Sequence, residues 1–152
     1  MASNEIQYID YDEVLDVYRR MIGASGGGFD GIRDDGGIRA TLDFVQNNLY
    51  YPSFEDKLTY LVFNFCSGHY FNDGNKRIAL TLGAYFLHKN GYYWQACIFM
   101  RQLEAIVYHV ASSNIGQKML SRIIVCFLKG QDYDEELKID MANAMNGGTL
   151  KI

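Results

Sequence analysis

The sequence predicts an all-α fold. Three observations carry that expectation. Apolar residues recur at helical spacing along most of the chain, only one proline occurs in 152 residues, and glycine or asparagine signals separate the periodic stretches. A side chain every three or four positions returns to one face of a 3.6-residue turn, whereas a strand alternates its faces. The length suits one domain, which can bury a core without a disulfide or metal to hold it.

The first helix is expected over 10–22, where Tyr11, Val14, Leu15, Tyr18 and Ile22 share a face. A glycine-rich stretch follows over 23–37, with seven glycines. Glycine weakens any regular element through backbone entropy, so this stretch is read as a surface loop. It contains Gly26-Gly27-Gly28-Phe29-Asp30-Gly31, which matches G-x-G-x-x-G. A dinucleotide site needs a strand before that pattern and a helix opening on its last glycine. Here a helix precedes it, which leaves a mobile loop, or a flap that positions a partner segment.

A second helix is expected over 39–49. Pro52 and Ser53 open the third, with Ser53 as N-cap and Glu55 and Asp56 in the favoured acidic first turn. Its apolar face is Leu58, Leu61, Val62 and Phe65, and it ends near Gly68. The fourth spans 75–89 and stops at Asn90-Gly91, a C-terminal signal. Ile78, Ala79, Leu80, Leu82, Ala84, Tyr85, Phe86 and Leu87 leave it little polar face, which puts it in the middle of a bundle. The stretch 92–98 has modest strand character. Two further helices are read over 100–112 and 118–129, and a seventh over 132–145, capped by Asp132 or Asp134. The expected organisation is a catalytic domain over 1–130 and a C-terminal extension over 131–152, a packed helix plus a tail.

Charge and cysteines narrow the function. The net charge is −4 with no run of Lys or Arg, so the chain lacks the cationic surface a general nucleic-acid binder needs. Cys66, Cys97 and Cys126 are spaced too widely for a paired metal motif and sit among apolar neighbours, as buried thiols in a reducing compartment do. The N-terminal residues have neither the basic nor the apolar region of a signal peptide, and the most apolar stretch, 78–87, is too short to span a membrane. The expectation is a soluble cytoplasmic protein with no nucleic-acid or membrane partner.

The chemistry concentrates in His69-Tyr70-Phe71-Asn72-Asp73-Gly74-Asn75-Lys76-Arg77. A helix N-terminus carries partial positive charge and unpaired N–H groups, so it favours acidic residues in its first turn. The fourth helix opens instead on Gly74, Asn75, Lys76 and Arg77. Two cations at the positive end make sense where an anion sits: they neutralise it, and glycine lets backbone amides approach. Asp73 stands where a carboxylate can hold a Mg²⁺ that bridges phosphate oxygens. His69 can take a proton from an attacking hydroxyl. Taken alone, His69 would more often be structural; its company argues otherwise. Phe71 reads as an apolar anchor for the turn. His88 and His109 are assigned no role.

These residues resemble the motif of the Fic/Doc family, His-x-Phe-x-Asp/Glu-Gly-Asn followed by Gly-Arg or Lys-Arg. Lys76 in place of glycine makes the segment similar to the Doc (death-on-curing) branch rather than the AMP-transferring branch. The resemblance reaches upstream to Gly31-Ile32-Arg33-Asp34 and downstream through Asn90-Gly91. It implies a Fic-like bundle of roughly six or seven helices around a central buried helix and an enzyme that uses ATP and Mg²⁺. In Doc-like toxins the terminal phosphate of ATP passes to a threonine of elongation factor Tu. By resemblance His69 is the general base, Asp73 the Mg²⁺ ligand, and Gly74 and Asn75 the phosphate nest. Lys76 and Arg77 stabilise charge on the transferring phosphates. The partners implied are a target protein with a Ser/Thr hydroxyl and an antitoxin whose disordered segment folds onto the toxin.

Some residues depart from the family pattern. Tyr70 stands where many relatives have proline, and no catalytic consequence is expected of it. Leu80 stands where AMP-transferring members carry a second arginine, and no segment fits the inhibitory Ser/Thr-x-x-x-Glu-Gly/Asn helix of those members. The leading expectation is therefore a Doc-type protein kinase. The alternatives are a nucleotidyltransferase performing AMPylation with the same motif, and a catalytically silent binding module. An intact His69 and Asp73 count against the last, because a pure binder needs neither a base nor a metal ligand.

Overall fold

In a computed structural model, which describes residues 5–25 and 31–146, the described residues form seven helices. They are α1 (Tyr11–Ser25), α2 (Asp35–Phe44), α3 (Phe54–Ser67), α4 (Asn75–Lys89), α5 (Tyr93–Ala111), α6 (Gln117–Lys129) and α7 (Glu135–Met145). The chain is all-α, with α4 at the centre against α1, α3 and α5, α6 across α3 and α5, and α7 on α6. Ile78, Ala79, Leu82 and Leu87 of α4 have no exposed surface, which fits a helix apolar around most of its circumference. At Gly83 the neighbours come closest: a Cβ there would lie 2.5 Å from Phe99 and 3.0 Å from Val62. Leu137 and Met141 bring α7 into the same apolar core. No helix of the described residues is long and apolar enough to cross a membrane.

Local signals set several boundaries where they were expected. Ser53 and Asp56 form a reciprocal capping box at the start of α3. Helix α4 ends in a Schellman turn: Gly91 has φ 88°, its N–H donates to His88 O, and the Tyr92 N–H donates to Leu87 O. Asp134, of the two aspartates considered, caps α7 by accepting from the Leu137 N–H at 2.8 Å.

Other expectations need correction. Residues 92–98 are not a strand; α5 starts at Tyr93, because the turn at Gly91 sends the chain straight back along α4 as a helical hairpin. Cys97 is consequently exposed near the start of α5, whereas Cys66 is buried and Cys126 half-buried. Burial pushes the Cys66 thiol up to about 11, and its Sγ donates to Val107 O. Gly23, Gly36 and Gly37 are helical, since α1 runs to Ser25 and α2 starts at Asp35. The Asp34 carboxylate draws α2 back by capping the Gly37 N–H at 2.9 Å. The G-x-G-x-x-G stretch falls on residues 26–31, of which only Gly31 lies within the described residues. Helix α2 ends at Phe44 rather than near 49, because Asn47 Oδ1 accepts from the N–H groups of Leu49 and Tyr50 and turns the chain. The buried Lys57 ammonium closes that end, donating to Val45 O at 3.0 Å and Asn48 Oδ1 at 2.8 Å. A cation is favoured at a helix C-terminus, where the carbonyls carry partial negative charge.

Helices α1 and α4 are also joined by polar contacts. Glu13 accepts from Lys89 Nζ at 2.7 Å and from the Tyr85 hydroxyl. Burial alone would raise the Glu13 carboxyl, but donors from Lys89, Tyr85 and the Asp10 backbone hold it below its ordinary 4.5. The hydrogen bond to Glu13 pushes the Tyr85 phenol up to about 12. A depressed carboxyl contributes stability that is complete above the unfolded value and is lost as pH falls through the folded one. Thermal melts of wild type and Glu13→Gln are therefore expected to differ at neutral pH and to converge below about pH 4. A difference that grew on acidification would contradict this linkage.

Candidate active site

Helix α3 closes at Gly68, whose N–H donates to Asn64 O at 2.8 Å. The next two residues diverge. His69 adopts φ 54°, in the left-handed region, with its side chain exposed, while Tyr70 turns into the core. A non-glycine residue held in that region costs on the order of 1–3 kcal/mol and persists only where its surroundings impose it. Tyr70 imposes it here. Its hydroxyl shares a 2.6 Å hydrogen bond with Thr41 Oγ1 of α2, and its carbonyl accepts from the Arg33 and Asp34 N–H groups at 2.8 and 3.0 Å. Gly37 and Gly68 make room for the ring; a Cβ at either would come within 2.5 or 2.3 Å of it. Tyr70 is thus a structural anchor of the turn.

Phe71 is fully buried, with its ring stacked on Tyr18 at a centroid distance of 4.0 Å. It forms an antiparallel bridge with Ile32, and the Asn72 N–H donates to Gly31 O at 3.2 Å. Residues 31–34 therefore run beside the start of the motif. The Asn75 side chain closes the loop on itself: Oδ1 accepts from the Phe71 N–H at 3.1 Å and Nδ2 donates to Phe71 O at 2.9 Å. The Tyr18 hydroxyl donates to Asp73 O at 3.0 Å, so α1 holds the next corner.

Gly74 is the residue before α4 and has φ 81°, a conformation that side chains rarely adopt. It supplies no side-chain cap, and the first turn of α4 contains no acidic residue. The first N–H groups of a helix have no intrahelical partner, so these amides remain for a ligand. Lys76 and Arg77 are exposed, and neither forms an ion pair among the described residues. They border a cleft of about 300 Å³ lined by Asp73, Gly74, Asn75, Lys76, Arg77 and Leu80 from one side and by Glu104 and Tyr108 of α5 from the other.

The structure thus brings Asp73, Gly74, Asn75, Lys76 and Arg77 into one cleft. His69 lies outside that lining, on the exposed turn that leads into it. The Asn75 side chain is tied to the Phe71 backbone through Oδ1 and one hydrogen of its Nδ2 amide, which leaves the second Nδ2 hydrogen and the main-chain N–H as donors. Five further residues matter: Thr41, Glu104 and Tyr108 were not singled out in the sequence, Tyr18 was read only as part of an apolar helix face, and Tyr70 only as a position without catalytic consequence. Tyr18, Thr41 and Tyr70 hold the loop, and Glu104 and Tyr108 form the far wall. Nothing in the local pattern of α5 marks the last two, since only its packing on α4 puts them there.

The arrangement can bind an anion at the start of α4, with a carboxylate and an imidazole nearby. Among the described residues no group of three or more His, Cys, Asp or Glu could hold a metal. The Asp73 carboxylate fits Mg²⁺ in another way, because that ion is commonly held by one or two carboxylates together with substrate phosphates and water.

The comparisons with known proteins bear on this site. The model of the Fic/DOC family matches residues 8–87, which contain α1, α2, α3 and most of α4. The chain is 36% identical over 90 residues to the protein kinase doc of Escherichia phage P1, an alignment covering 57% of this chain and 70% of that protein. No solved structure matches the chain significantly. The chain belongs to the Fic/Doc family, on its Doc branch.

Proposed function

We propose that the protein is a Doc-type protein kinase that transfers the terminal phosphate of ATP to a Ser/Thr hydroxyl of a translation factor, elongation factor Tu by family resemblance. It would act in the cytoplasm as the toxin of a toxin–antitoxin pair, silenced by an antitoxin with a disordered segment. The observation that carries this reading is the start of α4: two cations, Lys76 and Arg77, with no ion pair among the described residues, beside a left-handed glycine where a helix normally takes acidic residues. The relative from phage P1, itself named a protein kinase, supports the same reaction class.

In this reading the α4 amides and the Gly74 turn cradle the phosphates, and Lys76 and Arg77 stabilise the charge that spreads over their oxygens. Asp73 would hold Mg²⁺, which offsets phosphate charge when bound. Tyr18, fastened to Asp73 O, keeps that carboxylate at the cleft. His69 removes the proton of the attacking hydroxyl. Leu80, almost buried at the position of the second arginine of AMP-transferring members, favours γ- over α-phosphate transfer.

The test uses purified protein, Mg²⁺ and bacterial lysate, with ATP labelled at the α- or the γ-phosphate in parallel. Label from the γ position alone on a protein target is the expected result. Label from the α position would make the protein a nucleotidyltransferase. ATP binding without label from either would favour a silent binding module.

A further inference from the structure

The far wall of the cleft has a chemistry unlike the near one. Glu104 and Tyr108 are four residues apart on α5, so they share a face of that helix. Tyr108 is 56% exposed and Leu80 is nearly buried, and both line the cleft, so it offers an aromatic and an apolar side chain together. Glu104 forms no ion pair among the described residues, with Lys76 and Arg77 or with any other cation. A carboxylate and two cations that line one small cleft without pairing are placed to meet opposite ends of one ligand.

A polyphosphate is drawn to Lys76, Arg77 and the α4 amides and is repelled by Glu104. The uncharged end of a nucleotide must then face α5. A carboxylate beside a nucleotide is well suited to accept hydrogen bonds from ribose hydroxyls, and an aromatic face is suited to stack a base. The cleft volume of about 300 Å³ lies at the lower end of the range for small-ligand sites. We infer that Glu104 and Tyr108 form the nucleoside wall of the site, with Glu104 selecting ribose through its hydroxyls and Tyr108 stacking the base. This rests on the proposal that the anion bound at α4 is the phosphate chain of ATP.

Equilibrium binding of Mg-ATP, Mg-2′,3′-dideoxy-ATP and inorganic tripolyphosphate to the full chain tests it. Wild type is expected to prefer ATP to the dideoxy nucleotide by about tenfold or more, the size of a hydrogen bond to a charged group. Glu104→Ala should bring that ratio close to one without lowering tripolyphosphate affinity, and the isosteric Glu104→Gln should reduce it in part. Tyr108→Ala should weaken both nucleotides alike and keep the ratio. A ratio unchanged in Glu104→Ala, or tripolyphosphate binding lost along with it, would overturn the assignment while ATP binding by wild type still stood. Failure of wild type to bind any of the three would overturn the nucleotide reading, and this inference with it.

Discussion

Replacing His69 with alanine is expected to slow phosphate transfer by about 10²- to 10⁴-fold, the usual contribution of a positioned general base. The side chain is exposed, so its removal takes no packing from the core. The backbone is the complication, because alanine tolerates φ 54° less well than histidine does. His69→Asn is the matching control, since asparagine occupies the left-handed region readily but has no imidazole. Both variants should bind nucleotide as wild type does and transfer its phosphate poorly. Transfer within tenfold of wild type in both would remove His69 from the mechanism and assign the hydroxyl's proton to another acceptor.

Phe71→Ala should destabilise the fold by about 3–5 kcal/mol, the range for deleting a buried aromatic ring. Against a total of roughly 5–15 kcal/mol for a domain, that is a large share. The effect should sit at the high end. Phe71 has no exposed surface, stacks on Tyr18, and has its backbone clamped by Asn75 and bridged to Ile32, so little of the surroundings can collapse into the space it leaves. Urea unfolding measures the loss directly. The same substitution should impair nucleotide binding under conditions where the protein remains folded, because Tyr18 loses the ring that orients the hydroxyl holding Asp73 O. A loss below about 1 kcal/mol would mean that the loop is anchored elsewhere.

A feature is legible in the sequence when the residues that make it are close together in the chain. Helix α4 was legible at both ends, since Gly74 before it and Asn90-Gly91 after it act within one turn. The Ser53 cap and the motif from His69 to Arg77 were legible for the same reason: a cap or a tight turn is made by neighbours in sequence. The start of α5 was not. Tyr92, Tyr93 and Trp94 have strand propensity, which the Schellman turn and packing on α4 override. The glycines of α2 misled in part for the same reason: the Asp34 cap is local, but the fit of Gly37 against Tyr70 depends on a residue more than thirty positions away.

The sequence by itself determined the helical class, the central place of α4, and the turn at Gly74 with its adjacent cations and carboxylate. Each is a matter of local period, local capping or adjacent charge. Only the tertiary structure decided that Tyr70 and Thr41 force His69 out of the core, that Tyr18 fastens Asp73, and that Glu104 and Tyr108 close the cleft opposite Lys76. Those relations join separate helices, and side chains on different helices meet only once the apolar faces have packed.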